Sequence, residues 1–233
     1  MFKSFPFVAL ALLLAACGAP RVRHGPLQAP AESAPSPLPG KVYRVDENLS
    51  ELRILVYRAG PLARFGHNHV LVNRKIQGSV VQDLAGSSMF SLNVPAAAFV
   101  VDDAQARRDE GPDFAGDVPD DAKTGTLRNL LSPAVLDADE FPLITVNSIG
   151  IAGAADESGG GALTATVAVS VAGHESKIDM PFVLKSDPRQ LSATGSLELR
   201  QSALGLTPYS LMLGALQVKD AMTIKFQIVA NPT

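Results

Sequence analysis

The sequence predicts an all-β protein, an antiparallel β-barrel with a short helical insertion. Three observations carry that expectation. Apolar and polar residues alternate with period two in segment after segment between Lys41 and the C-terminus, the pattern of half-buried strands. Several segments run to roughly ten residues, on the order of 33 Å, which is long for a sandwich and natural for a barrel wall. The polar face carries Arg53, Lys75, Glu198, Arg200 and Lys225, so it is expected to meet water while the apolar face is covered, and a sheet closed on itself covers it. A membrane-spanning barrel needs the reverse, with apolar residues outward and aromatic girdles at the interfaces. This chain has no Trp.

The chain opens with Lys3 and an apolar run over residues 5–16. That run is roughly twelve residues, too short to span a bilayer and of the right length for a leader core. Leu14-Ala15-Ala16-Cys17 closes it and resembles the bacterial lipoprotein processing site, whose cysteine is lipidated and becomes the first residue of the mature chain. Residues 1–16 are therefore expected to be a lipoprotein signal peptide with Cys17 as the lipidation site; an ordinary secretory leader is the alternative. Gly18 follows, not Asp, which in Gram-negative lipoproteins implies transfer to the outer membrane. The expected location is the periplasmic side of that membrane, held by acyl chains that contribute about 0.8 kcal/mol per buried methylene. Residues 17–40 are rich in Pro and Ala (Pro20, Pro26, Pro30, Pro35, Pro37, Pro39) without apolar periodicity. They read as an extended spacer.

A single β-barrel domain is expected over residues 41–231. Leu52, Ile54 and Val56 alternate with Arg53, Leu55 and Tyr57; Ile76, Gly78 and Val80 with Lys75, Gln77 and Ser79; Phe90, Leu92 and Val94 with Ser91 and Asn93. The acidic, turn-rich stretch 102–121 reads as a solvated loop long enough to act as a lid. A helix is predicted over 120–131, with Leu127, Leu130 and Leu131 as its apolar face, Asp120 as N-cap and Pro133 as terminator. Leu163, Ala165, Val167, Val169 and Val171 alternate with Thr164, Thr166, Ala168 and Ser170 after a glycine-rich hairpin tip at 153–161. Leu191, Ala193, Gly195, Leu197 and Leu199 follow, then Met222, Ile224, Phe226 and Ile228. Small inward residues (Gly78, Ala165, Ala193, Gly195) leave room inside; tight packing or bulges would use them equally well.

Without residues 1–16 the chain keeps 23 acidic residues and all its basic ones but Lys3. A mildly acidic chain without basic clusters argues against nucleic acid and against a polybasic membrane patch. With Cys17 lipidated no thiol remains for a disulfide, so stability rests on a core, which about 190 residues bury readily.

Landmarks at the strand ends are recognisable. They are Tyr43-Arg44-Val45-Asp46 with Ser50, Phe141-Pro142-Leu143-Ile144 with Ser148, and Val169-Ser170-Val171-Ala172-Gly173-His174-Glu175. Ser202-Ala203-Leu204-Gly205-Leu206, Gly214 and Val218-Lys219-Asp220 complete the set. In order and spacing the chain from Val42 to Ala230 resembles the YceI-like family. Val-Ser stands where Leu-Thr is usual, Gln201 where Arg is common, and Arg64-Phe65-Gly66-His67-Asn68-His69 marks a divergent branch. The resemblance implies an extended lipocalin-like antiparallel barrel, exported to the periplasm and holding a polyisoprenoid or similar amphiphilic lipid lengthwise, with no other cofactor. It also implies a membrane b-type cytochrome as partner; a homodimer is left open. The ligand is expected along Ile54, Phe90, Leu92, Val167, Val169, Phe182, Leu184, Leu197, Leu199, Ile224, Phe226 and Ile228.

His67 and His69 form the one local cluster able to carry chemistry. At i and i+2 on a strand they point the same way and can chelate a metal, with His174, Asp46 or Asp102 as third ligand if the fold brings one close. This is the basis of an alternative reading, a metal- or redox-associated periplasmic protein. The other readings are contacts to a lipid head group at the barrel rim, or structural hydrogen bonds. His174-Glu175-Ser176 are neighbours on a turn and rarely converge on one atom, and no Gly-x-Ser-x-Gly elbow occurs. No residue is expected to make or break bonds.

Overall fold

The computed structural model describes residues 40–83, 88–154 and 160–233. The expected leader, Cys17, the spacer before Gly40 and most of the 153–161 tip lie outside the described residues. In chain order the strands are β1 (Gly40–Val45), β2 (Glu51–Val56), β3 (Arg58–Ala59), β4 (His69–Asn73), β5 (Gln77–Asp83), β6 (Ser88–Pro95) and β7 (Val100–Val101). Helices α1 (Ala104–Asp109) and α2 (Asp120–Leu131) follow. The remaining strands are β8 (Leu143–Ala152), β9 (Gly161–Val171), β10 (His174–Asp187), β11 (Gln190–Arg200), β12 (Ser210–Leu211), β13 (Leu216–Val218) and β14 (Ala221–Pro232).

All pairings are antiparallel, in the order β1-β5-β6-β8-β9-β10-β11-β14, and β14 returns to β1 through Tyr43–Pro232 and Val45–Ala230 to close an eight-stranded barrel. β2, β4 and β7 continue the wall from the other half of β14. Where β1 hands over to β2, Ser50 Oγ accepts from Val229 N (3.0 Å) and donates to Val229 O (3.3 Å), supplying bonds the interrupted ladder lacks. Asp46 shapes the same turn by accepting from Asn48 N and Asn231 Nδ2, both at 3.0 Å. The Asp46/Ser50 pair thus joins two strand segments into one wall.

Other landmarks pack strand ends together. A Cβ at Gly173 (φ 75°) would strike the Phe141 ring, and one at Gly205 (φ 75°) the His174 ring. A one-residue bulge in β8 between Ser148 and Gly150 rephases that strand, and Ser148 Oγ accepts the Phe90 N–H at 2.8 Å. The clasp between β11 and β14 is polar. Ser202 N and Oγ donate to the two oxygens of Asp220 at 2.9 and 2.7 Å, which holds the Asp220 carboxyl below the usual carboxylate range.

The α2 helix forms over the span its apolar spacing predicts, and Leu127, Leu130 and Leu131 pack on the barrel core. Pro119, rather than Asp120, takes the N-cap position; a helix N-terminus tolerates Pro because its N–H would have no partner there. The acidic stretch before it corrects the expectation of a solvated lid. It docks on the outer face of β2 and β4, where Ala106 and Phe114 bury Leu55, Val70 and Val72. Burying the Phe114 side chain stabilises that layer by about 1.5–3 kcal/mol. Glu110, 3% exposed, pairs with Arg53 and Lys225. Both cations point outward as the alternation requires and meet carboxylates there; Arg53 is largely covered, while Lys225 stays 42% exposed.

Candidate ligand-binding cavity

The inward faces do not meet. They enclose a cavity of about 880 Å³, in the upper part of the roughly 300–1,000 Å³ range of small-molecule sites. Its lining runs from Leu163 to Val171 along β9 and from Met222 to Ala230 along β14, a length of about 27 Å at 3.3–3.4 Å per residue. Among the described residues no charged side chain lines it. Gln82 and Ser88 stand towards one end and Gln201 at the other, with an aliphatic and aromatic middle. Leu130 of α2, Val135, Leu136, Leu204 and Leu206 line the Gln201 end. Gln201 is held there by its own Nε2–H donating to Lys219 O at 2.8 Å.

The structure places Ile54, Phe90, Leu92, Val169, Phe182, Leu184, Leu197, Leu199, Ile224, Phe226 and Ile228 on the cavity wall. Val167 is the exception. It is wholly buried but does not border the space; it pairs with Ser148 at the β8 bulge, where the wall is packed. Ala165 and Ala193 do leave room. Gly78 and Gly195 do not. A Cβ at Gly195 would collide with the Phe226 ring, which lies across it, and one at Gly78 (φ 152°) with Ser91 O. Wall residues missing from the expectation include Val80, Ile144, Val146, Ile178 and Met180. Ile178 and Met180 continue the period-two series of Phe182 and Leu184, a signal the sequence carries. Leu130 was legible as a helix face, but not as part of a cavity floor.

His67 and His69 do not border the cavity. His67 precedes β4, and the two ring centroids lie 6.0 Å apart. His69 Nδ1 is 2.6 Å from Asp102 Oδ2, so this nitrogen carries the proton and donates to the carboxylate, while Nε2 faces Thr126 Oγ1 at 3.2 Å. Both His69 nitrogens are engaged by protein, which fits the structural hydrogen-bonding reading of this pair rather than the chelating one. Asp102, which has positive φ (58°), is itself saturated: Val70 N donates at 2.9 Å and Arg107 Nη1 at 2.5 Å. Its burial acts to raise the carboxyl pKa; the His69 hydrogen bond first, then Val70 N–H and Arg107, outweigh that and hold it below the usual range. Asp46 lies in the β1–β2 turn and His174 against Gly205. Among the described residues no three metal-ligating side chains converge.

Hydroxyl, imidazole and carboxylate in that order are the parts of an acyl-transfer triad. Here, however, Thr126 lies on α2 and does not border the cavity. The chain of bonds ties α2 and the 102–118 layer to the start of β4. His174, Glu175 and Ser176 occupy consecutive positions of β10, so Glu175 faces away from the other two.

Among curated proteins none matches the sequence. Several solved structures share the fold, two of them over about four-fifths of this chain. One is Burkholderia cenocepacia BcnA, with TM-score 0.56, 17% identity, and 79% of this chain and 98% of that one covered. The other is a polyisoprenoid binding domain from Saccharophagus degradans implicated in plant cell wall breakdown, with TM-score 0.55, 10% identity, and 82% and 98% covered. The YceI-like domain matches residues 43–230, the span that closes the barrel and carries every landmark at its strand ends. The chain belongs to the YceI-like domain family.

Proposed function

We propose that this protein is a lipid-anchored outer-membrane protein, facing the periplasm, that carries an amphiphilic lipid of the polyisoprenoid or isoprenoid-quinone type in its barrel. One observation carries the reading: among the described residues, the long cavity has an apolar middle, no charged side chain, and amides near its two ends. A flexible apolar chain gains about 25 cal/mol per Å² removed from water, enough to offset association costs of about 4–15 kcal/mol. An ionised head group would have to shed its water without a countercharge, so the ligand head is neutral. The polyisoprenoid class is supported by the family and by the Saccharophagus degradans domain of the same fold. The anchor rests on Leu14–Cys17, and the wall supplies contacts for holding a lipid.

Calorimetric titration of the delipidated protein with geranylgeraniol and geranylgeranyl diphosphate tests this. The alcohol is expected to bind at least tenfold more tightly than the diphosphate. No binding of the alcohol, or tighter binding of the diphosphate, contradicts the reading.

A further inference from the structure

The excursion from Gln201 to Asp220 does two things. Its first residues, Gln201, Leu204 and Leu206, line one end of the cavity. Its later ones leave the barrel as a small separate sheet, β12-β13-β3, in which Leu211 pairs with Leu216 and Gln217 with Ala59. The turn after β3 is laid against the turn after β12. Leu62 N donates to Ala215 O at 2.8 Å, and a Cβ at Gly60 (φ 89°) would strike the carbonyls of Gly214 and Ala215. Two turns are thus fixed side by side at one end of the molecule.

What they display is unusual for a surface. Leu213 is fully exposed, Met212 is 72% exposed and Phe65 64%. Met212 and Leu213 also have positive φ, 51° and 56°, a conformation costly for residues other than Gly. Apolar side chains held out in water by a strained backbone contribute nothing to folding. The charge carried by the two turns themselves has one sign. Residues 57–68 and 205–218 contain Arg58 and Arg64 and no Asp or Glu, in a chain of net charge −3. Asp113 meets this region at its base, through its carbonyl and Asn68 Nδ2. Arg64 lies over the Phe65 ring at 4.7 Å, so cation and apolar group present together.

We propose that this double turn is a membrane-docking tip. Phe65, Met212 and Leu213 enter the acyl region of a bilayer while Arg58 and Arg64 meet anionic head groups. A convex tip with apolar ends and a cationic collar fits that interface, whereas a protein partner would need a concave site to receive it. The proposal deepens the lipid-carrier reading and rests on it, because the docked excursion also forms the cavity end at Leu206 and so sets that end towards the bilayer.

The chain has no Trp, so an indole placed by Leu213→Trp is a unique reporter, and Val183→Trp on the outer wall is its control. The full-length variants, as purified from cells, are placed on phosphatidylethanolamine vesicles with or without phosphatidylglycerol and with brominated acyl chains. With phosphatidylglycerol, emission from position 213 is expected to shift to the blue and to be quenched several-fold more than emission from position 183. Adding Arg64→Glu should remove most of that difference. Equal quenching at both positions, no effect of Arg64→Glu, or a blue shift without vesicles together with a doubled mass (a second copy covering the tip) overturns the proposal. Native mass spectra of the same samples separate the two ideas. An unquenched tip on protein that still carries an apolar ligand sinks docking alone; protein that never carries one sinks the carrier reading.

Discussion

Ser50 shows how one hydroxyl can hold a wall together. It is buried, and it gives and receives hydrogen bonds at Val229 where β1 stops and β2 has not begun. Ser50→Ala leaves the buried Val229 N–H without a partner, while Val229 O keeps the Asp46 N–H at 2.8 Å, at a cost of about 1–3 kcal/mol. A fall of several degrees in Tm by circular dichroism is expected, and an unchanged Tm would remove the residue from this role. Asp102 gives a pH signature. Its folded pKa lies below the ordinary value of 3.8, so as pH falls the unfolded chain takes up its proton first. The stabilisation is therefore whole above about pH 4 and is lost as pH drops through the folded value. Asp102→Asn should be less stable at pH 7, and its deficit in urea-unfolding midpoint should shrink below pH 3.8. A deficit that stays constant down to pH 2 contradicts the assignment.

At the scale of elements, α2 is pinned by the bond between Thr126 and His69 and by its leucine face. Thr126→Val keeps the shape and removes one hydrogen bond, worth about 0.5–1.5 kcal/mol. Amide exchange in α2 should quicken between roughly twofold and tenfold while β9 and β10 stay protected. Equal protection in wild type and variant would assign the helix to packing alone. Both helix and strands were legible, because period two and leucine spacing depend only on neighbours in sequence. The outer layer at 102–118 was not. Its residues are acidic and turn-forming, and what it docks on, Leu55, Val70 and Val72 flanked by Arg53 and Lys225, is distant in sequence and visible only after the sheet closes. Val167 fails for the same reason. Its parity is right, but it lies opposite the β8 bulge and does not border the cavity, and alternation reports neither fact. Gly195 reads equally well as space or as contact until the Phe226 ring is placed.

For the whole molecule, alternation predicted a covered apolar face, and a closed barrel supplies it. That the interior stays open follows from how side-chain volumes fall short of the enclosed space, a sum no local pattern reports. The lining, uncharged among the described residues, and the exposed, cation-flanked tip stand at different places on one chain, and both are explained if the protein takes a neutral lipid from a bilayer and keeps it dry. The most direct measurement is native mass spectrometry of the protein purified from its own cells in a detergent that leaves the fold intact. An added apolar mass, released by organic solvent and absent from a variant whose cavity is filled by Val169→Trp and Leu197→Trp, is the predicted result. A bare protein mass in every preparation, with the filled variant indistinguishable from wild type, would contradict the account.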